Sequence, residues 1–226
     1  MKFRALIVQH EQSAPPGYIR EWLDEQKAEI DLLRIDEEVR SPDPREYELL
    51  ISLGSDFAAY DDSVTFIRRE AELMLGAASS GVPVLGVCFG SQLLAKVMGG
   101  TSLRARRPEI GWLRVRTHLP ALVTEGPWFE WHRETFTLPP GASLIAESDI
   151  GPQAYTIGRS LGLQFHLEVT PEIIEAWVRG GRQELDAAGI DPAALMEESR
   201  RRAPETRQAT KRLLNNYLNG IFRGEA

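Results

Sequence analysis

Two short segments carry side chains whose types and spacing could do covalent chemistry. The first is Val84-Leu85-Gly86-Val87-Cys88-Phe89-Gly90-Ser91-Gln92. An apolar run of strand character enters a Gly-x-Cys-x-Gly turn and passes directly into residues of helical pattern, which is a nucleophile elbow with cysteine in place of serine. Glycines on both sides suit a sharp turn whose backbones approach too closely for side chains. A cysteine at a helix start meets free amides and the positive end of the helix dipole, which favour negative charge on sulfur. The N–H of Phe89 would face a developing oxyanion. The same residues admit a plainer reading, because a lone cysteine after an apolar strand is commonly a small buried hydrophobe.

The second segment is Gly162-Leu163-Gln164-Phe165-His166-Leu167-Glu168. Two-residue spacing in extended chain puts His166 and Glu168 on one side. The glutamate would then orient the imidazole while the other ring nitrogen faces a thiol, the logic of nucleophile, base and orienter. A surface ion pair is the alternative. The position at the end of an expected strand, where ligands gather in open α/β sheets, favours the site.

The elements that must hold these residues are visible in the first hundred positions, which alternate strand-like and helix-like patterns. Ala5 to Gln9, Ile30 to Ile35, Leu49 to Leu53 and Val82 to Val87 read as strands. Tyr18, Ile19, Trp22 and Leu23 mark one amphipathic helix. Val64, Ile67, Ala71 and Met74 mark another, with Asp61 and Asp62 as caps and an end near Gly81; a third runs through Met98 to Gly99-Gly100. Such alternation implies a mostly parallel sheet covered on both faces. From Ile110 to Tyr155 shorter strands separated by prolines and glycines suggest an antiparallel extension of that sheet. Leu161 to Phe165 is one more buried strand, and Thr170 with Pro171 reads as a capped helix start. A charged helical stretch from Gln183 to Arg202 precedes a last helix from about Thr206 to Phe222. That helix would dock through Leu213, Leu214, Tyr217, Leu218 and Ile221.

Bulk properties exclude several classes. At 226 residues, 42% hydrophobic and 26% charged, the chain suits one large α/β domain, residues 1–226. Acidic residues outnumber basic ones 33 to 26, which argues against nucleic acid, and the run Arg104-Ala105-Arg106-Arg107 reads as a solvated loop. The apolar start is too short for a signal sequence, no stretch approaches a membrane span, and one cysteine fits a reducing compartment. A cytoplasmic protein without cofactor is expected. The scattered histidines give no metal site, and no phosphate-binding glycine loop appears.

The segment GVCFGSQLLA from Gly86 to Ala95, the QFH-x-E element from Gln164 to Glu168, and their chain order resemble class I, triad-type glutamine amidotransferases. Trp131-His132-Arg133-Glu134-Thr135-Phe136-Thr137-Leu138-Pro139 is similar to a stretch of the family's stand-alone members. The resemblance covers about residues 1–180, with about 183–226 as a C-terminal helical extension. It implies the family's flavodoxin-like fold and a Cys88, His166, Glu168 triad that passes through a γ-glutamyl thioester. It also implies oxyanion donors from the backbone of Phe89 and Ser55, and substrate contacts from Gly54 and Gln92. Two departures stand out. Ser55 and Asp56 replace the family's Gly-Pro in the loop after the third strand, which suits a serine only outside a glycine-only conformation. Leu167 replaces the proline between the histidine and glutamate. His132 reads as a packed support rather than a second base, and His10 and His118 carry no functional expectation.

Three functions follow from the resemblance. One is hydrolysis of glutamine, with ammonia released to an unknown synthase partner, since the 226 residues hold no synthase domain. Another is partner-free hydrolysis of other γ-glutamyl amides or peptides. The third is a non-catalytic binding relative.

Overall fold

The computed structural model describes residues 3–223, and side chains through residue 220. The expected docking role of Ile221 and the side chain of Phe222 therefore fall outside the described side chains. Apolar runs that are buried on both faces form the central strands. β1 (Arg4–Gln9), β3 (Leu49–Ser52), β4 (Val84–Val87) and β10 (Ser160–Leu163) are almost wholly buried. The runs need no alternation because helices cover both sides. With β2 (Glu29–Arg34), β6 (Arg116–Thr117), β8 (Ser143–Glu147) and β9 (Pro152–Ile157) they make an eight-stranded sheet of order β2-β1-β3-β4-β10-β9-β8-β6. Pairing is parallel from β2 to β10 and antiparallel from β10 to β6.

Side chains of the parallel strands alternate between two cores. Ala5, Ile7, Leu49, Ile51, Leu85 and Val87 pack under α1 (Gly17–Glu25) and the long α6 (Pro192–Arg223). Leu6, Val8, Leu50 and Val84 pack under α2 (Thr65–Ser79) and α3 (Phe89–Val97). A third cluster around Phe129 joins α4 (Pro171–Gly180) and α5 (Arg182–Ala188) to the ribbon of β5 (Thr101–Leu113) and β7 (Trp128–Thr137).

Four expectations about elements change. The middle section only partly extends the sheet: β6, β8 and β9 do so, whereas β5 begins at Thr101 and pairs with β7 as a separate two-stranded sheet. Pro108, which cannot donate to a ladder, falls where the register breaks between Arg104 and Glu109. The basic run lies in β5 rather than in a loop, with Arg104, Arg106 and Arg107 exposed. α2 is capped by Val64 without a side-chain bond; Asp61 instead accepts from Ser63 N at 3.1 Å. The charged stretch and the last helix are not two helices divided near residue 204. α5 ends at Gly189 in the left-handed region, and α6 then runs unbroken from Pro192, with Pro204 inside it. Thr170 does cap α4, accepting from Ile173 N with Pro171 at the first helical position. Among the described residues no helix is long and apolar enough to cross a membrane.

Candidate active site

Four neighbouring parallel strands, β1, β3, β4 and β10, end on one edge, and each delivers a part of the site. β4 delivers Cys88. Its backbone sits at φ 50° and ψ −108°, a region that costs a residue with a side chain about 1–3 kcal/mol. The surroundings impose it: Cys88 N donates to Leu163 O at 2.8 Å, and Cys88 O accepts from Ser91 N, Gln92 N and Ser91 Oγ. A side chain at Gly86 would begin 2.5 Å from Gly90 O, so the expected glycines are required by close approach. Phe89 opens α3, where a backbone N–H has no partner within the helix.

β10 leads to His166 and Glu168. His166 Nδ1 donates to Glu168 Oε1 at 2.7 Å, which leaves Nε2 free to face the neighbouring Cys88. Burial alone would lower the His166 pKa; the charge of Glu168 and the adjacent Cys88 override it and hold it well above the ordinary histidine value. Three elements fix this segment. His166 N donates to Phe129 O, Tyr18 N at the start of α1 donates to Glu168 O, and Thr210 Oγ1 on α6 donates to Leu167 O at 2.5 Å. Trp177 of α4 stands edge-on to the His166 ring, 4.7 Å between centroids, anchored by its own N–H to Ser13 O.

β3 delivers the loop Gly54-Ser55-Asp56. A side chain on Gly54 would start 3.0 Å from His166 Cε1 and 3.8 Å from Cys88 Cβ, so glycine admits the ring beside the thiol. Ser55 does not adopt a positive φ, which removes the objection to a serine there. Two residues at the end of β1 hold the loop. His10 Nδ1 lies 2.9 Å from Gly54 O, and Glu11 Oε1 accepts from Ser55 Oγ at 2.7 Å and from Asp56 N at 3.2 Å.

A cleft of about 310 Å³ is lined by Gly54, Ser55, Cys88 and His166 and reaches past Trp177 and Glu184. A smaller pocket of about 50 Å³ adjoins it at Cys88, beside Phe89, Gln92 and Glu134. Gln92 is buried and turns its amide toward Gln164 Oε1 at 3.2 Å, while Gln164 Nε2 stands 3.6 Å from Cys88 Sγ. The other six residues expected from the sequence thus gather about Cys88. His10, Glu11, Gln164 and Trp177 join them without having been singled out, although Gln164 lies inside the QFH-x-E element.

His132 packs as expected for a support. Its Nδ1 pairs with Glu134 O at 2.8 Å, and its Nε2 lies 3.2 Å from Glu130 and 3.3 Å from Glu109. Burial opposes charge on this ring, yet the two carboxylates push its pKa up to about 10. Among the described residues no three His, Cys, Asp or Glu side chains are grouped to hold a metal.

The model of the family "Glutamine amidotransferase class-I" matches residues 18–176. A glutamine-hydrolyzing GMP synthase of Thermus thermophilus is 35% identical over 166 residues, 63% of this chain but only 30% of that protein. The chain therefore spans about a third of the length of such relatives. A glutamine amidotransferase-like protein of Salmonella typhimurium is 27% identical over 82% of this chain and 84% of its own. A crystal structure of a glutamine amidotransferase from Thermotoga maritima superposes with a TM-score of 0.87 at 30% identity, covering 96% of this chain and 99% of that one.

Proposed function

The chain belongs to the class I glutamine amidotransferase family, and from that premise we propose that it hydrolyses the γ-carboxamide of glutamine through a thioester on Cys88. His166 takes the thiol proton as sulfur attacks the amide carbon. The tetrahedral oxyanion is met by the N–H groups of Phe89 and Ser55, and Gln92 and Gly54 flank the bound glutamyl chain. Collapse breaks the C–N bond, with the proton on His166 passing to the nitrogen so that ammonia leaves. Water then gives a proton to His166 and attacks the thioester, and glutamate departs as the sulfur is released. Glu168 holds the ring in one orientation throughout. The ammonia would pass to a synthase partner; Phe57, 44% exposed beside the smaller pocket, is the kind of apolar side chain such a partner would cover.

The observation that carries this reading is a strained elbow cysteine that meets, across Gly54, a histidine bonded to Glu168. A second reading draws on the larger cleft. That cleft of about 310 Å³, lined by Cys88 and His166, is open enough for a γ-glutamyl amide or peptide with a bulkier leaving amine, hydrolysed without a partner. A non-catalytic role is the least supported, because every triad position is filled.

Mass spectrometry of the intact protein after incubation with 6-diazo-5-oxo-norleucine tests the reading. One adduct on Cys88, blocked by glutamine, is expected. Protection by γ-glutamyl peptides but not by glutamine would select the second reading, and no adduct at Cys88 would overturn both.

A further inference from the structure

Beneath the site lies a buried group of side chains that the proposed mechanism does not use. His10 is 1% exposed, and Glu70 and Ser52 are fully buried. They come from β1, α2 and β3, and they form one chain of hydrogen bonds. Ser52 Oγ donates to Glu70 Oε1 at 2.7 Å, His10 Nε2 pairs with Glu70 Oε2 at 2.7 Å, and His10 Nδ1 pairs with Gly54 O at 2.9 Å. A carbonyl oxygen can only accept, so Nδ1 carries a proton; a carboxylate on the other side places one on Nε2 as well. Burial would discharge the ring, yet Glu70 outweighs it and raises the His10 pKa above its ordinary value.

The end of this chain is what gives it a consequence. The Gly54–Ser55 peptide is trans, so its C=O and its N–H point in opposite directions. Tying Gly54 O down to His10 therefore aims Ser55 N–H up, toward the cleft that Gly54 and Ser55 line. The same imidazole meets the ring of Phe89 edge-on at 4.7 Å, and a side chain at Gly90 would collide with Ser52 at 2.4 Å. One buried group thus touches the backbone of both the loop after β3 and the elbow after β4. In place of a rigid Gly-Pro loop, this chain has Ser55 and Asp56 held from below by His10 and from the side by Glu11.

We propose that His10, braced by Glu70 and Ser52, is a positioning residue that orients the Gly54–Ser55 peptide as an oxyanion donor. The inference rests on the reading of Cys88 as an acyl-forming nucleophile. It deepens that reading by assigning to a buried charge the alignment a stiffer loop would supply by itself. The role belongs to the Nδ1 donor and not to the presence of a side chain in that space.

Two substitutions separate donor from filler. His10→Asn keeps a donor near the position of Nδ1 and gives up the bond to Glu70. His10→Gln keeps a group near Nε2 for Glu70 and gives up the bond to Gly54. Turnover of glutamine, or of γ-glutamyl-p-nitroanilide where glutamine is not turned over, would be measured with the rate of Cys88 alkylation by iodoacetamide. The expected result is a fall in kcat of about 10²-fold for His10→Gln, within the range found for losing one oxyanion donor. KM should change less than about threefold, and alkylation should be unchanged. His10→Asn should retain kcat within about fivefold although both variants are less stable. Equal kcat in the two variants, or a fall matched by lost alkylation, would overturn the proposal. Should His10→Gln not fold, Ser52→Ala carries the test, with a several-fold drop in kcat at constant KM expected and an unchanged kcat overturning it. A wild-type protein that neither turns over nor labels at Cys88 would sink the function itself and not this role.

Discussion

Two buried histidine–carboxylate groups flank Cys88, and they differ in how completely they are paired. Behind the β3 loop, His10, Glu70 and Ser52 use every polar side-chain atom, one imidazole against one carboxylate. Behind the β5–β7 ribbon, His132 faces two carboxylates, Glu109 and Glu130. There, among the described residues, both oxygens of Glu130 and Nε2 of His132 have no well-formed hydrogen bond although they are buried. Glu109 is better served, by Gln153 at 2.7 Å and Ser148 at 3.1 Å. Similar residue types at similar depth therefore do different work. The first group is a closed brace under a backbone loop. The second is an unbalanced charge held near Cys88, and burial pushes the Glu130 pKa up against the opposing pull of His132.

Deleting one carboxylate from each group would test the contrast most severely. Glu70→Ala should cost about 3–5 kcal/mol, because it leaves an ionised His10 buried without its counter-charge. Glu130→Ala removes a side chain of nearly equal burial that has no hydrogen bond to lose, and Glu109 remains to balance His132. Its cost should stay below about 2 kcal/mol, most of it from the cavity. Urea unfolding of the two variants measures both, and equal losses would erase the distinction between brace and charge store.

A pH series would sharpen the same distinction. The folded pKa of His132 is about 10, above that of a histidine in the unfolded chain. The stability this histidine contributes is therefore fully present below about pH 6.5 and is lost as pH rises through about 10. His132→Gln should flatten the decline in unfolding free energy between pH 7 and 10 by roughly 3–4 kcal/mol. Some slope should persist, since His10 and His166 are raised in the same sense. A variant with the wild-type slope would show that His132 is neutral in the folded protein.

The brace was much harder to read from sequence than the proposed triad. The triad residues announce themselves locally: Cys88 between two glycines after an apolar run, and His166 two residues from Glu168 after another. The order of strands and helices through residue 100 was legible for a similar reason, because continuous apolar runs and 3.6-residue periods are properties of single segments. His10 has no such context. Its partners stand 44 and 60 positions away, and only the tertiary fold joins them. One trace was present, since Glu70 falls on the apolar face of α2 between Ile67 and Met74, and a charge in that stripe needs a buried partner. The β5–β7 ribbon and the continuity of α6 are hidden in the sequence, because a proline such as Pro108 or Pro204 has no N–H to give a ladder or a helix. In the fold Pro108 sits in a register shift, and Pro204 is carried within a helix anchored on both sides, at Ser199 to Trp112 and at Thr210 to Leu167.

The smallest effects should come from the hydroxyls at the far end of each group. Ser52 Oγ is wholly buried and among the described residues bonds Glu70 alone, so Ser52→Ala strands a carboxylate oxygen and should cost about 1.5 kcal/mol. Ser148 is half-buried at the edge of the second group, where it bonds Glu109 at 3.1 Å and accepts from Ile150 N and Gln153 Nε2. Water can replace a hydroxyl there, and Gln153 still bonds Glu109, so Ser148→Ala should cost about 0.5–1 kcal/mol. The order matters more than the size. A brace is as sound as its last link, whereas a charge already missing partners loses little when one more leaves. If Ser148→Ala proves the costlier of the two in thermal unfolding at pH 7, the ribbon group is the tighter network and the orphaned atoms of Glu130 and His132 are satisfied by bound water.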